Sequence, residues 1–241
     1  MRFRSPFQQN NLLNKMLAWE VEPNKNAKPM IGIPLHPSFP YLHVAVFSSI
    51  LNAMRAFPGT PLVVSRQFEV SIAREEIAKS FLNSDCTHLL MLDSDIVMKP
   101  DTLPRMIAVD APLVVAKYAE KGKTEASYHC YHHSQVPFRR DPPVEVRPGE
   151  HRQLKDIDPM LFGLGCVLIK REVFEKLEEP YFKFTISDEQ EDDYWRVSED
   201  FYFALKCHHA GIRPKFCDDI EVLHLATVGI KPGKLEGVEW V

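Results

Sequence analysis

Between residues 29 and 118, short apolar runs alternate with segments of helical period, and this alternation constrains the fold more than any other feature. PMIGIPL (29–35), PLVVS (61–65), THLLML (87–92) and PLVVAKY (112–118) each read as a buried strand. From Leu42 to Phe57, the apolar residues Val44, Phe47, Leu51 and Met54 recur at three- and four-residue spacing, which marks one face of a helix. Residues 67–82 carry Val70, Ala73, Ile77 and Phe81 in the same way. A short helix starts at Pro100 and Asp101 and carries Leu103, Met106 and Ile107. Strands that are apolar throughout need both sheet faces covered. The expected fold is therefore α/β: a single Rossmann-like domain with a mainly parallel central sheet flanked by helices.

Beyond this core the pattern changes. Residues 119–160 are polar and rich in Pro and His, and read as a long excursion or flap. Regular structure resumes with the strand GLGCVLIK (163–170) and the helix 171–177. An acidic loop follows at 187–195, then a helix over 199–210, with Ser198 at its N-cap and Gly211 in a left-handed C-cap. Short strands are expected at 213–217 and 220–225. Residues 1–28 form an extension, 29–225 the domain, and 226–241 a tail able to close over the site.

Composition excludes several classes. Hydrophobic residues make up 45% and charged residues 26% of the 241, as in ordinary globular domains. A net charge of −4 argues against a generally basic nucleic-acid binder. No apolar run approaches a membrane span, and no apolar core follows the basic N-terminal residues, so the chain reads as cytoplasmic. The five cysteines are odd in number and form no Cys-x-x-Cys pair, which suits reduced thiols. HCYHH at 129–133, and CHH at 207–209 with Cys217, lack the paired spacing of structural zinc sites.

Three constellations carry chemistry. LLMLDSDIV places Asp93 and Asp95 at the end of a buried strand, one residue apart. Residues i and i+2 of a strand point to one side. Two carboxylates aimed into one cleft suit Mn²⁺ or Mg²⁺, whose shells water and substrate phosphates complete. The plain alternative is a turn that uses Asp as a turn former. In SEDFYFALKCHHAG, Glu199 and Asp200 fall in the first turn of a helix. The helix dipole favours acids there, and it would also keep a catalytic base ionised. His224 lies in the apolar strand VLHL, as a core residue or as a metal ligand.

The order of these features resembles the glycosyltransferase A fold over roughly residues 29–225. The resemblance implies that Asp95 binds the cation that bridges a nucleotide's diphosphate, with Asp93 on the ribose or the metal. Ser94 lies between them, His224 is the third metal ligand, and Asp200 or Glu199 is the base. Pro34 and Leu35 fall where such enzymes begin the nucleotide pocket. SIAREEIAKSFL resembles their Ala-Arg-Asn helix, which puts Arg74 on the donor; its plain alternative is a surface cation. GLGC resembles the glycine-containing strand beside the sugar, with Gly165 there to allow close approach of backbone. The donor would be a nucleotide-diphospho-sugar of the UDP or GDP type, the acceptor an unidentified hydroxyl. Tyr194 and Trp195 would stack on a sugar or serve as core.

The Gln-x-x-Arg-Trp signature of processive relatives is absent, which leaves inversion or retention open. The nearest alternative is a sugar nucleotidyltransferase. That class opens with a Gly-rich phosphate loop after the first strand, where this chain has HPSFPY. A non-catalytic nucleotide- or glycan-binding relative is the alternative from a different class.

Overall fold

The computed structural model describes residues 22–119, 130–133, 140–143, 160–187 and 195–226. Most of the N-terminal extension, the acidic loop after Ser187 through Tyr194, and the tail from Thr227 lie outside the described residues.

The elements of the expected alternation form in order. They are β1 (Pro29–Leu35), α1 (Val44–Ala56), β2 (Leu62–Arg66), α2 (Val70–Leu82) and β3 (His88–Leu92). Next come a two-residue strand β4 (Ile96–Val97), α3 (Thr102–Ala108) and β5 (Leu113–Lys117). The excursion contributes β6 (Cys130–His133), β7 (Arg140–Pro143) and β8 (Met160–Phe162), which pair antiparallel in a small separate sheet. The chain then forms β9 (Cys166–Lys170), α4 (Arg171–Lys176), β10 (Thr185–Ser187) and β11 (Trp195–Val197). It ends with α5 (Glu199–His209), β12 (Pro214–Glu221) and β13 (Leu223–His224).

The main sheet has six strands in the order β12-β5-β9-β3-β1-β2. β1 pairs parallel with both β2 and β3, and β12 pairs parallel with β5. β9 runs antiparallel between β3 and β5. Neither its place nor its direction can be read from apolar content, because both of its faces are buried like those of its parallel neighbours.

Alternation along each strand separates two cores. On one face Met30, Leu89, Met91, Val115, Val167 and Ile169 pack with α2, α4 and α5. On the other Ile31, Ile33, Leu90, Leu92, Val114 and Leu168 pack with α1 and α3. Cys207 lies in the first core and Cys217 in the second, so these two thiols cannot converge on one metal. Burial pushes the Cys207 thiol up to about 12, as expected of an inert core residue.

α1 corrects the sequence reading. Its buried face is Val46, Ser49, Ile50, Ala53 and Ala56. The stripe Val44, Phe47 and Leu51 faces outward instead. Two apolar stripes share one period on this helix, and the one with small residues sits against the rest of the domain. The last strands also differ from expectation. β12 runs on through an irregularity between Cys217 and Glu221, and only Leu223 and His224 form the final strand, against Ile96 and Val97.

From β1 the chain moves to β2 on one side, then returns through α2 to β3 on the other. Such a switch point opens a crevice beyond the carboxyl ends of the strands. Close packing of α2 on β1 holds the two halves together there. A Cβ added to Gly32 would come within 2.2 Å of Ile77 Cγ2. Gly32→Ala is therefore expected to destabilise the fold by about 1–3 kcal/mol through overpacking. Urea unfolding followed by circular dichroism reads this as a lower midpoint at unchanged slope.

Candidate active site

The crevice is a cavity of about 610 Å³ lined by Pro34, Leu35, Arg74, Asp93, Ser94, Asp95, Glu199, Asp200 and His224. Nine of the ten residues assigned to the site from sequence thus share one wall system, although they come from four elements and the turn between β3 and β4. The tenth, Gly165, lies behind it. Its carbonyl accepts the Asp93 N–H at 2.8 Å, which extends the β3–β9 ladder by one step and places Asp93 at the cavity edge.

Arg74 organises the floor. Position 74 falls on the buried stripe of α2 with Ala73, Ile77, Ala78 and Phe81, so the guanidinium is driven inward and is only 4% exposed. It is not a surface cation. Its Nη2 donates to Asp93 Oδ1 at 2.8 Å, its Nε to Glu199 Oε1 at 3.2 Å, and its Nη1 to the Leu164 carbonyl at 3.4 Å. Burial works against its charge, but Asp93 and Glu199 outweigh that cost and hold it protonated above its ordinary range.

The two acids at the start of α5 are thereby distinguished. Glu199 is buried and committed to Arg74. Burial, with the neighbouring Asp200, raises its carboxyl above the usual value, while Arg74 opposes the shift. Asp200 is half-buried and lines the cavity. Its Oδ1 accepts from the Ser198 hydroxyl and from the Phe201 N–H. Ser198 occupies the N-cap position, but its side chain serves Asp200 and makes no capping bond. Gly211 adopts φ of 70° just past the helix, the left-handed conformation expected of it.

Asp95 and His224 meet within the same cavity. β13 pairs with β4, bringing His224 opposite Ile96, and the Leu225 N–H bonds the Asp95 carbonyl at 2.8 Å. His224 Nδ1 lies 2.8 Å from the Ala119 carbonyl, so this nitrogen must carry the proton. Nε2 then stands 3.4 Å from Asp95 Oδ1. In the neutral ring these are two electron-pair donors on facing residues, a donor set of the kind divalent cations take. An imidazole whose other N–H is anchored on a backbone carbonyl is the usual form of a metal ligand. The pair fits a hard or borderline divalent ion in donor type. Asp93 differs, since one of its oxygens is already on Arg74. Among the described residues, no three His, Cys, Asp or Glu side chains converge as a complete cage. An ion here would rely on substrate oxygens and water for most of its shell.

Tyr118 was not foreseen from the sequence. It ends the run PLVVAKY, and its hydroxyl accepts the Gly165 N–H at 3.1 Å. Its ring meets the His224 ring edge-on at 5.6 Å between centroids. A Cβ on residue 165 would stand 2.8 Å from Tyr118 Cζ, so the glycine makes room for this tyrosine. The fold thus gives this glycine a reason of its own, separate from the expected approach of backbone to a ligand. Phe68 and Phe184 at the cavity wall were also unforeseen. Tyr194 lies outside the described residues.

No protein-family model matches the chain, and no curated protein sequence does. Solved structures do. A197 from STIV superposes with a TM-score of 0.53 at 19% identity, covering 83% of this chain and 86% of that one. This shows a shared fold. Weaker overlaps include the catalytic domain of Drosophila beta1,4galactosyltransferase 7 in complex with xylobiose, with a TM-score of 0.43, 14% identity and 83% and 71% coverage. The inositol-1-phosphate CTP transferase from T. maritima follows at 0.37, 13% identity and 74% and 64% coverage. Overlaps at that level do not choose between glycosyl and nucleotidyl transfer.

Arg74→Met, which leaves Glu199 buried without a partner, is expected to cost about 3–5 kcal/mol. In a domain of this size that lowers the melting temperature by on the order of 10 °C, read by calorimetry. The raised Glu199 value sets the sign of a pH effect. Stability linked to this group is complete below the ordinary value of 4.5 and is lost as pH rises through the folded value. Denaturant titrations across pH 4–8 should show this decline in the native protein and its loss in Glu199→Gln.

Proposed function

We propose that the protein is a cation-dependent glycosyltransferase that takes its sugar from a nucleotide-diphosphate donor of the UDP or GDP type. One observation carries the reading: Asp95 and His224 face each other 3.4 Å apart in the same cavity as Arg74 and Asp200. A site of this make-up suits a diphosphate bound through a divalent ion, with a further carboxylate in the cavity to receive a proton.

Asp95 and His224 Nε2 are assigned as the protein ligands of Mn²⁺ or Mg²⁺, and the second Asp93 oxygen as a contact to that ion or to the donor's ribose. When bound, such an ion supplies Lewis acidity that offsets charge on the departing nucleoside diphosphate. Pro34 and Leu35, at the end of β1, form the apolar side of the nucleoside pocket. Arg74 sets the Asp93 carboxylate and the start of α5 relative to one another. Glu199 acts through Arg74 as a positioning residue.

Asp200 is assigned as the general base. As the bond between the anomeric carbon and the diphosphate oxygen breaks, the acceptor oxygen bonds to that carbon, and its proton passes to Asp200. The nucleoside diphosphate leaves with the electron pair. The Ser198 hydroxyl and the Phe201 N–H both donate to Asp200 Oδ1 and fix the direction of the carboxylate. A base acting on the face opposite the leaving group inverts the anomeric centre.

Asp95→Ala should abolish the Mn²⁺-dependent rise in melting temperature caused by the binding nucleoside diphosphate, since only a ligand of the folded state raises it. A thermal-shift series over the common nucleoside diphosphates, with and without Mn²⁺, reads this and identifies the base. An undiminished shift in the variant would remove Asp95 from the cation site. Asp200→Asn should retain that shift and lower kcat by about 10²–10⁴-fold, the usual worth of a general base. Donor hydrolysis or transfer assays measure it, and the product anomer reports the stereochemistry.

A further inference from the structure

A helix on the surface of a domain ordinarily turns charged and polar residues to water. α1 does not. On its outward side Val44 is 71%, Phe47 46% and Leu51 45% exposed. They stand at i, i+3 and i+7, and the exposed Arg55 completes the line at i+11. The loop before α1 adds Phe39 and Tyr41, 74% and 84% exposed. β2 is an edge strand of the main sheet. Its Leu62 packs into the core beneath α1, so the exposed Val64 and Arg66 point to the same side by strand alternation.

Charge selects what covers this face. The chain has 33 Asp and Glu residues, yet none falls between Glu22 and Glu69. The cations of that interval are Lys25, Lys28, Arg55 and Arg66. A second copy packed through a two-fold axis would set the patch against itself, with no acid of this interval to meet Arg55 or Arg66. An anionic surface meets both the apolar side chains and the cations. Among the described residues no helix is long and apolar enough to cross a membrane.

We infer that the outer face of α1, bordered by Phe39, Tyr41 and Val64, docks on an anionic lipid bilayer. The apolar side chains enter the interface, and Arg55 and Arg66 lie at the headgroups. The patch reaches the cavity mouth. His36 lies 6.0 Å from the Phe39 ring and 5.5 Å from the Phe68 ring, centroid to centroid, and both His36 and Phe68 line the cavity.

The test is co-sedimentation of the full chain with vesicles of phosphatidylcholine and phosphatidylglycerol, against vesicles of phosphatidylcholine alone. Binding to the mixed vesicles, weakened by added NaCl, is expected. The double substitution Phe47→Glu, Leu51→Glu should reduce vesicle affinity about tenfold or more, because two apolar anchors are lost. Both residues are exposed, so its thermal unfolding should match that of the native protein. No partition onto the anionic vesicles, or binding that survives the double substitution, overturns the inference. Light scattering that shows a dimer split by the same substitution overturns it in favour of a second copy. None of these readouts involves nucleotide, so their failure is separate from failure of the proposed reaction.

Discussion

A single buried guanidinium holds the cavity in shape. Arg74 bonds a carboxylate at the end of β3, a carboxylate at the start of α5 and a carbonyl just before β9. These points come from distant parts of the chain, and this one side chain bonds all three. An ion pair this deep gains little over an apolar core of the same shape, because desolvation offsets the attraction. Its value lies in geometry. The planar fork of the guanidinium fixes directions as well as distances. With Asp93 and Glu199 both ionised the cluster carries one excess negative charge, and Asp200 beside it adds another. Burial is the main cause of the raised Glu199 value and Asp200 adds to it, while the excess charge makes the cavity a place where a cation lowers the local energy.

The sheet order explains why the acids and the histidine share a cavity at all. The switch between β1 and β3 opens the crevice, and Asp93 and Asp95 follow directly from β3. β12 continues past the main sheet, and its extension turns to pair with β4 just after the aspartates. The carboxylate and imidazole are thus fixed by backbone pairing, with Leu225 bonded to the Asp95 carbonyl from the following residue. Their approach does not depend on side-chain rotamers alone.

Much of this was legible beforehand, for identifiable reasons. The four early strands and the helices between them carry strong periodicity, and carboxylates at the end of a buried strand fall in the crevice by construction. Arg74 could have been placed inside, since it shares the helical stripe of Ala73, Ile77 and Phe81. Other features left no local trace. α1 has two apolar stripes of equal period, and tertiary packing chose between them. The direction of β9 is invisible because strands buried on both faces look alike whichever way they run. Tyr118 appeared to be only the last residue of a strand. Its role depends on a glycine 47 positions away, and the space that glycine leaves is a property of the fold.

The Tyr118–Gly165 bond also has a bearing on how such a chain can change over time. It pins together the two points where the long excursion leaves and rejoins the main sheet. The closure cost of a loop grows only slowly with its length once its ends are fixed. A change of length between these two points, outside the paired strands β6 and β7, therefore leaves Asp93, Asp95 and His224 in register. The fold has a seam there. Whatever the excursion contacts can diverge quickly, and the cavity floor can stay as it is.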